Sequence, residues 1–118
     1  MDPGITFEEA KRLVAKFRDE REWLKYHTPK NLAESIAIEA AELLEVFQWK
    51  TEDECLEYAK NEEGKRRVAE ELADIVIYAL SLADVLEIDL GLAVLEKLEE
   101  NERKYPVEKF RGRYRVDF

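Results

Sequence analysis

Four acidic side chains in this 118-residue chain stand where acids are rare. Glu39 and Glu42 lie in NLAESIAIEAAELLEVFQW (31–49), and Glu71 and Asp74 lie in the run 65–86; both stretches are otherwise largely apolar. Each pair is spaced i, i+3, which in a helix puts both members on one face, one turn apart. On a wheel at about 100° per residue, Glu39 falls inside the arc of Leu32, Ile36, Leu43, Val46 and Phe47, and Glu42 falls between Val46 and Ile38. Glu71 falls among Val68, Ile75, Tyr78 and Leu82, and Asp74 beside Ser81 and Val85. Glu34 and Glu45 fall on a more polar side, where solvent accounts for them.

Two such helices packed together would converge four carboxylates. Like charges at short range in a partly dry site are strongly unfavourable, so either some stay protonated or cations sit among them. Lys65, Arg66 and Arg67 could neutralise only part of that charge. An all-oxygen donor set is hard and favours Mg²⁺, with Mn²⁺ as the alternative, over zinc or copper. The plainer reading makes these acids salt-bridged residues at the core edge. A di-iron centre would call for Glu-x-x-His motifs, and the sole histidine, His27, does not follow a glutamate at that spacing.

The elements that must carry these residues read as helices. Thr6 with Glu9 is a capping box that opens a helix over 7–27. Thr28-Pro29 breaks it, and Asn31 with Glu34 is read as the next cap. Thr51 with Glu54 caps a short piece, 51–60, and Asn61-Glu62-Glu63-Gly64 interrupts before the long helix 65–86. Asp89 caps a last helix over 90–105, which Pro106 stops. No segment alternates with period two between turns, so an all-α bundle in a single domain, 1–118, is expected. The helices 31–49 and 65–86 are apolar over more than half their circumference, so a homo-oligomer is expected to complete the bundle.

Composition narrows the function. Charged residues make up 40% and hydrophobic ones 46%, with 4 Gly and 3 Pro, which excludes collagen-like and disordered classes. The net charge of −9 argues against gripping a nucleic-acid polymer, whose affinity rests on phosphate neutralisation. Cys55 is the only cysteine, so no intrachain disulfide forms and Cys/His zinc sites are excluded. No leader-like apolar region opens the chain and no stretch approaches ~18 apolar residues. A cytoplasmic protein without a membrane partner is the expectation.

The segments REW (21–23), YHTPKNL (26–32), EAAELLEVFQWK (39–50), EELADIVIYAL (70–80) and IDLGLAVLEKLEENERKYP (88–106), with a following RGR, stand in an order that is specific in combination. By these the chain resembles the MazG-like all-α nucleoside triphosphate pyrophosphohydrolases, closest to their dCTP pyrophosphatase branch, over roughly residues 20–113. The resemblance implies a four-helix bundle core completed by dimerisation, as a homodimer or homotetramer. It implies Mg²⁺-dependent hydrolysis of a nucleoside triphosphate, dCTP-like, to the monophosphate and pyrophosphate. It makes Glu39, Glu42, Glu71 and Asp74 the metal ligands and catalytic acids, Trp23 and Trp49 the aromatics that enclose the base, and His27, Tyr78, Lys97 and Asn101 part of the nucleotide pocket.

Physical readings stand beside these roles. Lys97, Asn101 and Lys104 form one stripe that can hold triphosphate oxygens, or an ordinary basic helix C-terminus. Either tryptophan can stack a base or pack against a neighbour. Tyr78 shares the Glu71 and Asp74 face, His27 is equally a loop hydrogen-bonder, and RGRYR can reach phosphates or do nothing. Glu42 and Glu45 are the candidates for taking the water proton. No Walker loop is present. The alternatives are the same chemistry on dUTP or a non-standard nucleotide, or a non-catalytic oligomeric helical binding module.

Overall fold

The computed structural model describes residues 4–113. The chain divides into two compact units, residues 1–88 and 89–118. The first contains α1 (Phe7–Glu20), a 3-10 turn (Leu24–Tyr26), α2 (Pro29–Phe47), α3 (Glu52–Lys60) and α4 (Glu62–Val85). The second contains α5 (Leu90–Lys104) and α6 (Val107–Phe110). Among the described residues there is no strand, so the all-α expectation holds. No helix among them is long and apolar enough to cross a membrane.

Caps set where each helix begins. The Thr6 hydroxyl accepts from Glu9 N at 3.0 Å, and Thr51 with Glu54 closes a full capping box on α3. Asp89 accepts from Leu92 N at 3.0 Å and starts α5. The cap of α2 differs from the sequence reading: Thr28, not Asn31, accepts the amide of Asn31, and Pro29 occupies the first turn. Proline suits that position because its missing N–H would be unpaired there anyway.

Two boundaries are also corrected. The first helix stops at Glu20 rather than running to residue 27. Glu22 takes φ 54°, Trp23 N donates to Arg18 O at 3.1 Å and Glu22 N to Asp19 O at 3.0 Å, the double hydrogen bond of a Schellman end. The chain then turns through Leu24–Tyr26. At the other boundary, Asn61 alone separates α3 from α4, closing one and capping the other, so Gly64 lies inside α4. A Cβ on Gly64 would overlap the Tyr58 carbonyl oxygen, so glycine is required for this close approach. The tail includes the short α6; the remainder of RGRYR beyond Arg113 lies outside the described residues.

In the first unit α2, α1 and α3 each pack against α4. The buried apolar core is small: Leu32 and Val46 from α2, Leu80 and Ala83 from α4. Large apolar side chains remain exposed on the same helices, among them Leu13, Phe17, Leu44, Leu72 and Val76. Arg18 is buried among them and donates to Asp19 at 2.8 Å and to Asp84 at 2.7 Å.

Candidate active site

The regular backbone of α2 and α4 carries the two acid pairs, and packing of the two helices turns them toward each other. One carboxylate oxygen from each of Glu39, Glu42 and Glu71 lies within 4.8 Å of the other two. Asp74 stands beside this triad, near enough for its charge to act on Glu39 and Glu71. All four are half-buried.

No close ion pair relieves them, although the charge of Arg67 reaches Glu71. Among the described residues, none of the four joins an ion pair with lysine or arginine. Arg67 donates instead to the Tyr58 hydroxyl, at 3.4 Å. Burial first, and then the charge of Glu42, pushes the Glu39 carboxyl up to about 7. The same causes, in the same order, raise Glu71. Glu71 Oε2 is buried and has no hydrogen-bond partner. An orphaned acceptor among mutually repelling acids is the environment that a divalent cation with oxygen ligands at about 2.0–2.6 Å satisfies. The residues therefore fit a hard metal ion.

Asp74 also lines a cavity of 220 Å³. Its wall is built from α1 (Val14, Phe17, Arg18), the following turn (Trp23, His27) and α4 (Ile77, Tyr78, Ser81). The rings of Phe17 and Trp23 meet edge to face, 5.9 Å apart, a preferred aromatic geometry. Arg21 lies over the outer face of Phe17 at 3.8 Å. Burial, and then the Arg18 charge, lowers the pKa of His27 and so favours its neutral ring. A larger depression of 480 Å³ on α2 is lined by Ala41, Leu44, Glu45, Phe47 and Gln48. Its one ionisable group is Glu45, so the chemistry concentrates in the smaller cavity.

Of the residues singled out from sequence, the fold gathers Glu39, Glu42 and Glu71 into a triad, and Asp74, Trp23, His27 and Tyr78 onto one cavity. Trp49 is not among the lining residues. It follows the end of α2 with φ 66° and is 93% exposed. Lys97, Asn101 and Lys104 stand on α5 in the second unit. There Lys97 pairs with Glu100 at 3.3 Å, and the Asn101 carbonyl accepts from Tyr105 N. Two polar cavity residues escaped the sequence reading: Arg18, a plain charge on an amphipathic helix, and Ser81, noted only as a neighbour of Asp74. A serine flanked by Leu80, Leu82 and Ala83 is the one signal that pointed to burial.

The description "MazG-like family" fits a stretch of 82 residues, 34–115. The chain belongs to the MazG-like family. Relatives of this MazG-like chain include the dCTP pyrophosphatase 1 of Bos taurus, 42% identical over 107 residues, which cover 91% of this chain and 63% of that protein. The dCTP pyrophosphatase 1 of Homo sapiens is 41% identical over 104 residues, covering 88% of this chain and 61% of that one. The chain thus spans less than two thirds of the length of these curated relatives. A crystal structure of a pyrophosphatase from Archaeoglobus fulgidus matches with a TM-score of 0.78 and 52% identity, over 90% of this chain and 97% of that one. The family resemblance read from the motifs is thereby borne out.

Proposed function

We propose that this MazG-like chain is a nucleoside triphosphate pyrophosphohydrolase that converts a dCTP-like substrate to the monophosphate and pyrophosphate. The observation that carries the reading is the triad Glu39, Glu42 and Glu71, without an ion-pair partner among the described residues and with the buried Glu71 oxygen unpartnered. The relatives named dCTP pyrophosphatase 1 and the Archaeoglobus fulgidus pyrophosphatase support the reaction and the base.

Glu39, Glu42, Glu71 and Asp74 are the metal ligands in this reading, and Mg²⁺ the ion, with Mn²⁺ as a substitute. When bound, the ion supplies charge neutralisation for the phosphates and lowers the pKa of a coordinated water. The chain's own residues do the rest. The acids would hold the ion, and the cavity beside Asp74 receives the base against Trp23 and Phe17. Water attacks the α-phosphorus; a P–O bond to it forms, the α–β bridging bond breaks, and pyrophosphate leaves. The water proton passes to a carboxylate. Glu42 suits that role better than Glu45, which is exposed on the outside of α2. Catalysis of this kind is mainly positioning and charge stabilisation.

The remaining assignments belong to the same proposal. Lys97, Asn101 and Lys104 contact the phosphates, and His27 and Tyr78 contact the nucleotide. The chain acts as one domain in the cytoplasm. It works as a homodimer or homotetramer, which the small core and the exposed Leu44, Leu72 and Val76 support. Trp49, solvent-exposed in the single chain, gains its cover in that assembly.

The test is a panel of nucleoside triphosphates with Mg²⁺, read for product type. Monophosphate and pyrophosphate, with dCTP turned over fastest, are expected. Release of single phosphates, or no turnover, overturns the reading.

A further inference from the structure

Two fully buried polar atoms on the 220 Å³ cavity have no partner among the described residues: Ser81 Oγ and His27 Nδ1. Ser81 is 2% exposed. A serine inside a helix ordinarily bonds the carbonyl one turn back, and this one does not. A buried hydroxyl left unpaired is costly.

Arg18 is the strongest donor on the cavity, and each of its three nitrogens already makes a hydrogen bond. Nε and Nη2 bond Asp19, and Nη1 bonds Asp84. Asp74 belongs to the acid cluster. Among the fully buried polar atoms of the cavity, those left without a partner belong to Ser81 and His27. A hydroxyl donates and accepts, and a neutral imidazole offers one of each. The cavity is smaller than the ~300 Å³ at which whole drug-sized ligands begin to fit. Its size suits a single ring lying against the aromatic side chains of Phe17 and Trp23.

We propose that Ser81 is a specificity-determining residue, whose hydroxyl, together with His27, reads the donor-and-acceptor edge of a single-ring nucleobase. The proposal rests on the pyrophosphohydrolase reading for its ligand class. A site that holds an unpaired buried polar atom selects the ligand that pairs it and rejects the one that cannot.

The experiment titrates the full chain with Mg²⁺ and the α,β-imido analogues of dCTP, dUTP, dTTP and dATP, by calorimetry, in the wild type and in Ser81→Ala. Expected is a single-ring base preferred in the wild type. In Ser81→Ala the ratio of affinities between the best and the next base falls by about tenfold, the value of one buried hydrogen bond. The melting temperature of Ser81→Ala stays level or rises, because an orphaned hydroxyl has gone; a merely structural serine would lower it. The proposal is overturned if the ratio moves less than twofold, if the wild type shows no base preference, or if it binds no analogue. Discriminating, Ser81-dependent binding without pyrophosphate release from the hydrolysable triphosphates would remove the enzymatic reading and leave this one standing.

Discussion

Arg18 Nη1 lies 2.7 Å from Asp84 Oδ2 and ties α1 to the last turn of α4 across 66 residues of sequence. The guanidinium is buried while the Asp84 side chain is 31% exposed. Arg18 lines the cavity, as does Ser81, one turn before Asp84 on the same helix face. Removing Asp84 leaves Arg18 buried with Asp19 alone. We expect Asp84→Ala to cost about 1–3 kcal/mol of stability, measured by urea unfolding. No loss would show that Asp19 suffices.

The acid cluster sets a pH dependence for the metal-free protein. The Glu39 carboxyl is pushed up from 4.5 to about 7 when folded. The folded chain therefore holds a proton that the unfolded chain has released between those values. Stability is retained below about 4.5 and falls as pH rises toward 7. Thermal melts in EDTA from pH 5 to 7.5 should show this decline, and Mg²⁺ should abolish it, because binding to the folded chain stabilises it. Mg²⁺ addition near pH 6.5 should also release protons, detectable with a weakly buffered indicator.

Neutralising one acid should separate stability from activity. In Glu39→Gln the repulsion within the triad is relieved, so the EDTA-treated variant should melt higher than the wild type at pH 7.5. Hydrolysis should fall about 10²-fold or more through misplacement of the reacting groups. A variant that melts lower without metal would indicate that Glu39 has a structural partner instead.

Backbone geometry predicts a contrasting pair of variants away from the acids. Gly64→Ala should cost about 1–3 kcal/mol, because a methyl there meets the Tyr58 carbonyl oxygen. Glu87→Gly should raise stability by about 0.5–1 kcal/mol, because Glu87 holds φ 55° at the end of α4. Chemical denaturation midpoints measure both.

The helix starts at Thr6, Thr51 and Asp89 and the acid pairs were legible in the sequence because they are local. A cap is read three residues away, as at Thr6 and Thr51, and an i, i+3 pair shares a face wherever the helix goes. Helix ends were harder to read. The first helix stops in a Schellman turn at Glu22, and without a glycine the left-handed residue leaves no mark in the sequence. That stop carries Trp23 and His27 onto the cavity wall. An uninterrupted helix would have continued past it.

From the residues alone one could determine an all-helical chain, its acids spaced for one face on each of two helices, and the family motifs that accompany them. Which groups meet was decided by the tertiary structure alone. Glu42 faces Glu71, Arg18 finds Asp84, and Ser81 loses every partner only when α1, α2 and α4 pack. Periodicity is a property of one helix, whereas convergence and desolvation depend on how several helices are set against one another.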